Sequence, residues 1–278
     1  MTKFEIPTTS FRDGSELPLI GLGTYALQGS RGADSVAAAL ESGYRLIDTA
    51  AQYNNETAVG EGIRHSGVDR GEILLTTKIA GGSQGREATR TGVDESRRRL
   101  GLEVLDIVLI HWPNPSRGLA VETWETLLEL KQNGVIKHVG VSNFRPEQLQ
   151  ELYDATGEWP EINQIQLAIA LPRDEAVAFH REHGIVTESW GPLGGRQKML
   201  DQFAIRKVAD KHGVTPEQVA LKWIVDREIV IIPKSKDPER QRANATLDFT
   251  MDADDLSLLA SLDLGEDAAA DSRRHEEW

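Results

Sequence analysis

Short apolar runs recur along the chain, each followed by a stretch of helical period. The runs occupy residues 17–22, 44–47, 72–77, 104–110, 136–141, 162–166, 185–189 and 229–232. Each is long enough for a buried strand and too short for a helix. Eight strand-then-helix units predict an α/β fold, a closed (β/α)8 TIM barrel, and such barrels reach about 250 residues as a single unit. The 278 residues therefore read as one domain, with the barrel over about 17–250 and a C-terminal helix and tail over 251–278.

Local signals mark the extra elements. Helices are expected over residues 34–41, which run into Gly43, and from Pro146, where proline opens the first turn. Two more fit between the seventh and eighth strands, at 201–212 and 216–226, the second capped by Thr215. Residues 253–262 form an amphipathic stretch outside the barrel. Phe4-Glu5-Ile6 and Ser10-Phe11-Arg12 predict an N-terminal β-hairpin over the barrel floor, and the polar residues 265–278 predict a mobile tail or a lid.

A net charge of −13 offers no basic surface for a phosphate backbone, so nucleic acid is excluded as a partner. With no cysteine there is neither a disulfide framework nor a thiolate metal site, and no metal centre is expected. No apolar run approaches the roughly 20 residues that span a bilayer, and the N-terminus lacks the apolar core of a signal peptide. A cytoplasmic monomer without a membrane partner is the expectation.

Chemistry gathers at the strand ends. Asp48, Tyr53, Lys78 and His111 each follow an apolar run, and barrels collect functional groups at the carboxyl ends of their strands. A free phenol, with a pKa near about 10, is a poor acid at neutral pH. A lysine cation beside it favours ionisation, and an aspartate paired with the lysine keeps that cation charged. Tyr53 then becomes a proton donor, while His111 orients a substrate oxygen. Such a set is suited to reducing a carbonyl. After strands seven and eight, Gly191-Pro192-Leu193-Gly194-Gly195 offers backbone amides to a pyrophosphate, and Lys234, Ser235 and Arg240 follow; no Gly-x-Gly-x-x-Gly follows any strand.

Asp48-Thr49-Ala50-Ala51-Gln52-Tyr53, Thr77-Lys78, Ile110-His111-Trp112-Pro113, Gly140-Val141-Ser142-Asn143-Phe144, Asn163-Gln164 and Ile232-Pro233-Lys234-Ser235 together resemble the motifs of the aldo-keto reductases. Within that family the chain is most similar to bacterial 2,5-diketo-D-gluconate reductases, notably in Glu188-Ser189-Trp190-Gly191-Pro192-Leu193-Gly194. The resemblance implies an NADPH-dependent reductase of small aldehydes and ketones, with keto sugars and dicarbonyls as candidates and NADH bound more weakly. It assigns Tyr53 as the acid, His111 as the carbonyl orienter, and Lys78 with Asp48 as the tuning pair. It places Ser142, Asn143 and Gln164 on the nicotinamide amide, Trp190 on the nicotinamide ring, Lys234, Ser235 and Arg240 on the 2′-phosphate, and Asn244 on the adenine. Thr24, Asp48, Gly191, Leu193 and Gly194 complete the cofactor side. Tyr25, Tyr53, His111 and Trp112 face the substrate.

The chain also departs from that pattern. Ala243 replaces a glutamate, and Asp237 replaces a basic residue and is expected to repel a 2′-phosphate. Gln166-Leu167-Ala168-Ile169 replaces Glu-Leu-His-Pro. Residues 79–85 lack the usual tryptophan-asparagine, which predicts an open pocket, with Arg273 and Arg274 of the tail as cations for a substrate carboxylate. Two other activities fit parts of the same pattern: a Schiff-base aldolase using Lys78 or Lys234, and a nucleotide-sensing subunit similar to the potassium-channel β subunits.

Overall fold

The computed structural model describes residues 5–194 and 198–277. Eight parallel strands follow one another around a sheet in chain order: β3 (Leu22–Gly23), β4 (Leu46–Asp48), β5 (Leu74–Ile79), β6 (Leu105–Ile110), β7 (Ile136–Ser142), β8 (Ile162–Gln166), β9 (Val186–Trp190) and β10 (Val230–Ile231). Parallel bridges Ile20 to Ile231 and Gly23 to Lys234 join the first strand to the last. The barrel is closed there by backbone hydrogen bonds from Gly21 to Ile231 (2.8 Å) and from Ile231 to Leu19 (2.8 Å). Gly21 and Gly23 permit the closure, because a Cβ at Gly21 would meet Leu46 at 2.7 Å and one at Gly23 would run into the Ile232 carbonyl.

The first predicted strand divides. Glu16–Pro18 is β2, which pairs antiparallel with β1 (Thr8–Ser10) to form the hairpin, and only Leu22–Gly23 enters the barrel. The hairpin thus lies later in the chain than expected. Its turn is made by Asp13, whose carboxylate accepts the Ser15 amide, and by Gly14 at φ 85°. Phe4, part of the earlier hairpin expectation, lies outside the described residues.

Helices α1 (Gly29–Ser42), α2 (Glu56–His65), α3 (Arg86–Leu100), α4 (Ala120–Gln132), α5 (Pro146–Thr156), α6 (Asp174–Glu182), α7 (Phe203–His212), α8 (Pro216–Val225) and α9 (Pro238–Ala245) succeed the strands, and α10 (Ala253–Ala260) follows them. The α1 helix begins a turn before its expected start, since Gly29 and Ser30 give no sequence signal for helix. Thr215 caps α8 through a capping box with Gln218. Strands β4 to β6 are buried along nearly their whole length, and Ile107, Val108, Leu109 and Ile110 are inaccessible, as strands covered on both faces should be. Among the described residues no helix is long and apolar enough to cross a membrane.

Candidate active site

Strand alternation explains how the chemistry reaches the rim. Asp48 is the last residue of β4, paired with Gly23 on one side and Thr76 on the other. Lys78 is the fifth residue of β5, so Asp48 and Lys78 belong to their strands rather than following them. Both project from rigid backbone. Tyr53 ends a single 3-10 turn, Ala51–Tyr53, and His111 follows β6 with its amide bonded to the Ile79 carbonyl at 3.2 Å.

The four side chains converge. The Lys78 ammonium lies 2.8 and 2.7 Å from the two Asp48 oxygens and 3.0 Å from the Thr49 carbonyl. It also donates to the Tyr53 hydroxyl at 3.4 Å. The Tyr53 and His111 rings meet edge to face with centroids 5.7 Å apart. Burial works against the Lys78 charge, but Asp48, helped by Tyr53 and Glu188, more than offsets it and holds the ammonium above its usual pKa. Burial also dominates at Tyr53 and pushes the phenol upward, with Lys78 opposing and Asp48 and Glu277 adding. The net direction at Tyr53 is thus opposite to the sequence expectation, because the same fold that delivers the lysine also desolvates the phenolate. At His111, burial outweighs the nearby Glu277 and lowers the pKa, so the imidazole is neutral at pH 7.

Beside this set lies a second carboxyl that sequence reasoning passed over. Glu188, in β9, is fully buried. The Gln164 amide donates to Asp48 at 2.8 Å and to Glu188, which links the two carboxyls. Burial first, then the proximity of Asp48, raises the Glu188 pKa to about 8 despite Lys78. A glutamate within an otherwise buried strand was the available signal. Ser142 donates to the Gln164 carbonyl at 2.9 Å, and Asn143 holds both the His111 carbonyl (3.1 Å) and the Trp190 indole (2.8 Å). Asn143 adopts φ 65°, which turns the chain sharply at the end of β7; asparagine tolerates that conformation better than most residues.

One cavity of about 470 Å³ runs from Asp48, Tyr53 and His111 past Ser142, Asn143, Gln164 and Trp190 to Gly191, Leu193 and Lys234. A cavity of this size, lined mostly by apolar groups with a few polar ones, has the character of a small-molecule or cofactor site. A Cβ at Gly191, whose φ is 65°, would meet nothing within 4 Å, so the turn there leaves open space beside the cavity. Ser235, which follows cavity-lining Lys234, is buried, as is Asn244 in α9, and Arg240 is exposed; none of the three lines the cavity. Gly194 donates to the Gly191 carbonyl at 2.9 Å, closing the turn; Gly195 lies outside the described residues. Thr24 is buried, and its carbonyl accepts from Asn55 at 2.8 Å. Asp237 does not simply confront a phosphate. It caps α9, accepting the Glu239 amide at 2.9 Å and the Arg240 amide at 3.3 Å.

Tyr25, 66% exposed with its ring edge-on to Tyr53, and Trp112 also line the cavity. The tail packs against Trp112. His275 rests on Trp112 with ring centroids 4.0 Å apart, and Glu277 lines the cavity. Lid-like packing therefore holds for the tail, and the opening expected from the small residues 79–85 is partly covered by it. Arg273 and Arg274 are not cavity residues. Arg273 is exposed and bonded to Asp271 at 2.9 Å, and Arg274 is 89% exposed at its side chain.

The profile of the Aldo/keto reductase family matches residues 19–264. The chain is 44% identical to 2,5-diketo-D-gluconic acid reductase B of Corynebacterium sp. (strain SHS752001), over 98% of this chain and 99% of that protein. It is 40% identical to methylglyoxal reductase DkgA of Escherichia coli (strain K12), over 91% and 92%. Among solved structures, a mutant of Gox0644 in complex with NADPH superposes with a TM-score of 0.92 at 40% identity, covering 98% of this chain and all of that one. An aldo/keto reductase from Brucella melitensis gives 0.89 at 39% identity, covering 93% of this chain.

Proposed function

Because the chain belongs to the aldo/keto reductase family, we propose that it is an NADP-dependent oxidoreductase that reduces small aldehydes and ketones, α-dicarbonyls and keto sugars among them, to alcohols. The observation that carries this reading is the position of the Tyr53 hydroxyl at the cavity surface, backed by the buried Lys78 and Asp48 and flanked by neutral His111.

Bound NADPH supplies the hydride. The chain's own groups do the rest. His111 and Tyr53 hold the carbonyl oxygen, and Tyr53 gives it a proton as negative charge develops there. Lys78 stabilises the phenolate left behind, and Asp48 keeps Lys78 charged. Gln164, Asn143 and Ser142 are suited to the nicotinamide amide, and the Trp190 ring to its face. Lys234 and Arg240, with Ser235, would hold a 2′-phosphate, and Asn244 the adenine.

The Lys78 environment speaks against Lys78 as the nucleophile of an imine-forming aldolase, since an ammonium gripped by both Asp48 oxygens is not a free amine, which leaves that reading only Lys234. The test is the loss of NADPH absorbance with a panel of aldehydes, ketones, α-dicarbonyls and keto sugars. Turnover of several members supports the reading. Tight NADPH binding with no turnover on any member would instead indicate a nucleotide-sensing barrel.

A further inference from the structure

The tail brings a carboxylate to the reacting end of the cavity. Glu277 Oε2 lies 2.9 Å from His111 Nδ1, and the glutamate side chain is only 14% exposed. Its position is fixed through its backbone. Asn114, buried just beyond β6, donates to the Glu277 carbonyl at 2.8 Å and accepts the Glu277 amide at 2.9 Å. Glu276 accepts the Ser116 amide at 3.0 Å, which anchors the neighbouring residue to the same loop.

The charge at this end is unbalanced. Of the ionisable groups lining the cavity, Asp48 is neutralised by Lys78, His111 is uncharged, and Lys234 stands at the far end where the cofactor's phosphates belong. The aromatic residues Tyr25, Trp112 and Trp190 and the uncharged Ser142, Asn143 and Gln164 also line the cavity. Glu277 Oε2 is buried and accepts no well-aligned hydrogen bond among the described residues. The partly exposed remainder of the carboxylate lines the cavity, where it can accept from a substrate hydroxyl, and no lysine or arginine pairs with it among the described residues.

We propose that Glu277 is a specificity-determining residue that admits neutral carbonyl compounds, those with an adjacent hydroxyl above all, and rejects those bearing a carboxylate next to the reacting carbon. The proposal rests on the carbonyl-reductase reading and names its substrate class. A carboxylate beside the reacting carbon would share this end of the cavity with Glu277, and like charges brought close in a partly dry site disfavour binding by on the order of tenfold to a hundredfold.

The test pairs an α-keto ester with its own acid, methyl phenylglyoxylate and phenylglyoxylate. For each, kcat/KM is measured with NADPH, and the dissociation constant from the enzyme saturated with NADP+ is measured by calorimetry. Glu277→Gln is expected to lower the ester-to-acid ratio by about tenfold or more in both quantities. Glu277→Asp, which keeps the charge, should stay much nearer the wild-type ratio. A merely structural role for the tail would change both substrates together and leave the ratio alone. An unchanged binding ratio in Glu277→Gln overturns the proposal even if catalysis is normal. If the wild type binds both compounds and reduces neither, the carbonyl-reductase reading is what fails, and the binding ratio still decides the role of Glu277.

Discussion

Lys78 and Asp48 form a buried fork, with the ammonium 2.8 and 2.7 Å from the two carboxylate oxygens and neither side chain reaching solvent appreciably. Removing one member leaves the other charged in a dry site. Lys78→Met should therefore lower stability to urea by about 3–5 kcal/mol. Asp48→Asn combined with Lys78→Met should recover most of that loss without recovering turnover. A double variant as unstable as the single one would show that the pair's charges are not what the fold depends on.

Cofactor choice should follow Lys234 and Arg240. Replacing either with Met is expected to weaken NADPH binding by about tenfold, since a charge-assisted hydrogen bond contributes roughly 1.5–3 kcal/mol, and to change NADH binding much less. Fluorescence titration with both cofactors reads this directly. Equal losses for NADPH and NADH would place the two cations away from the 2′-phosphate.

Asp237 has two roles to separate. Its carboxylate occupies the first amides of α9, so Asp237→Ala should cost about 1 kcal/mol as a lost helix cap. Asp237→Ser keeps a capping oxygen without the charge, and it is expected to retain that stability while tightening NADPH. No gain in affinity would mean that the cap already screens the aspartate from the phosphate.

Glu188 makes stability depend on pH. Its folded pKa, about 8, exceeds the usual 4.5, so the folded protein holds a proton that the unfolded chain releases. The contribution is fully present below the unfolded value and is lost as pH rises towards about 8. Glu188→Gln should flatten this fall in urea-unfolding experiments across that window. A slope identical to wild type would show that Glu188 is already ionised in the folded state.

The parts of the site legible in the sequence are those carried by local pattern. Asp48, Lys78 and His111 stand at or near the ends of apolar runs, and a barrel turns that position into a rim position. The β1–β2 pairing was set instead by the Asp13-Gly14 turn, whose signal outweighs the more apolar residues before it. Glu188 carried a signal in its strand, a carboxyl among buried neighbours, but its partner Gln164 sits 24 residues away in another strand. Glu277 carried none. It reaches His111 only because Asn114, 163 residues earlier, bonds both faces of its peptide backbone, and no periodicity encodes such a contact. The rise in the Tyr53 pKa was likewise hidden, because desolvation depends on what packs around the phenol rather than on which charges stand near it.

The central claim is that Tyr53 supplies the proton, and Tyr53→Phe tests it with the removal of one oxygen. Single-turnover reduction of an aldehyde by the NADPH-saturated variant should be slower than wild type by about 100-fold or more, with the NADPH dissociation constant essentially unchanged. A variant that keeps more than about a tenth of the wild-type rate under these conditions would contradict the assignment.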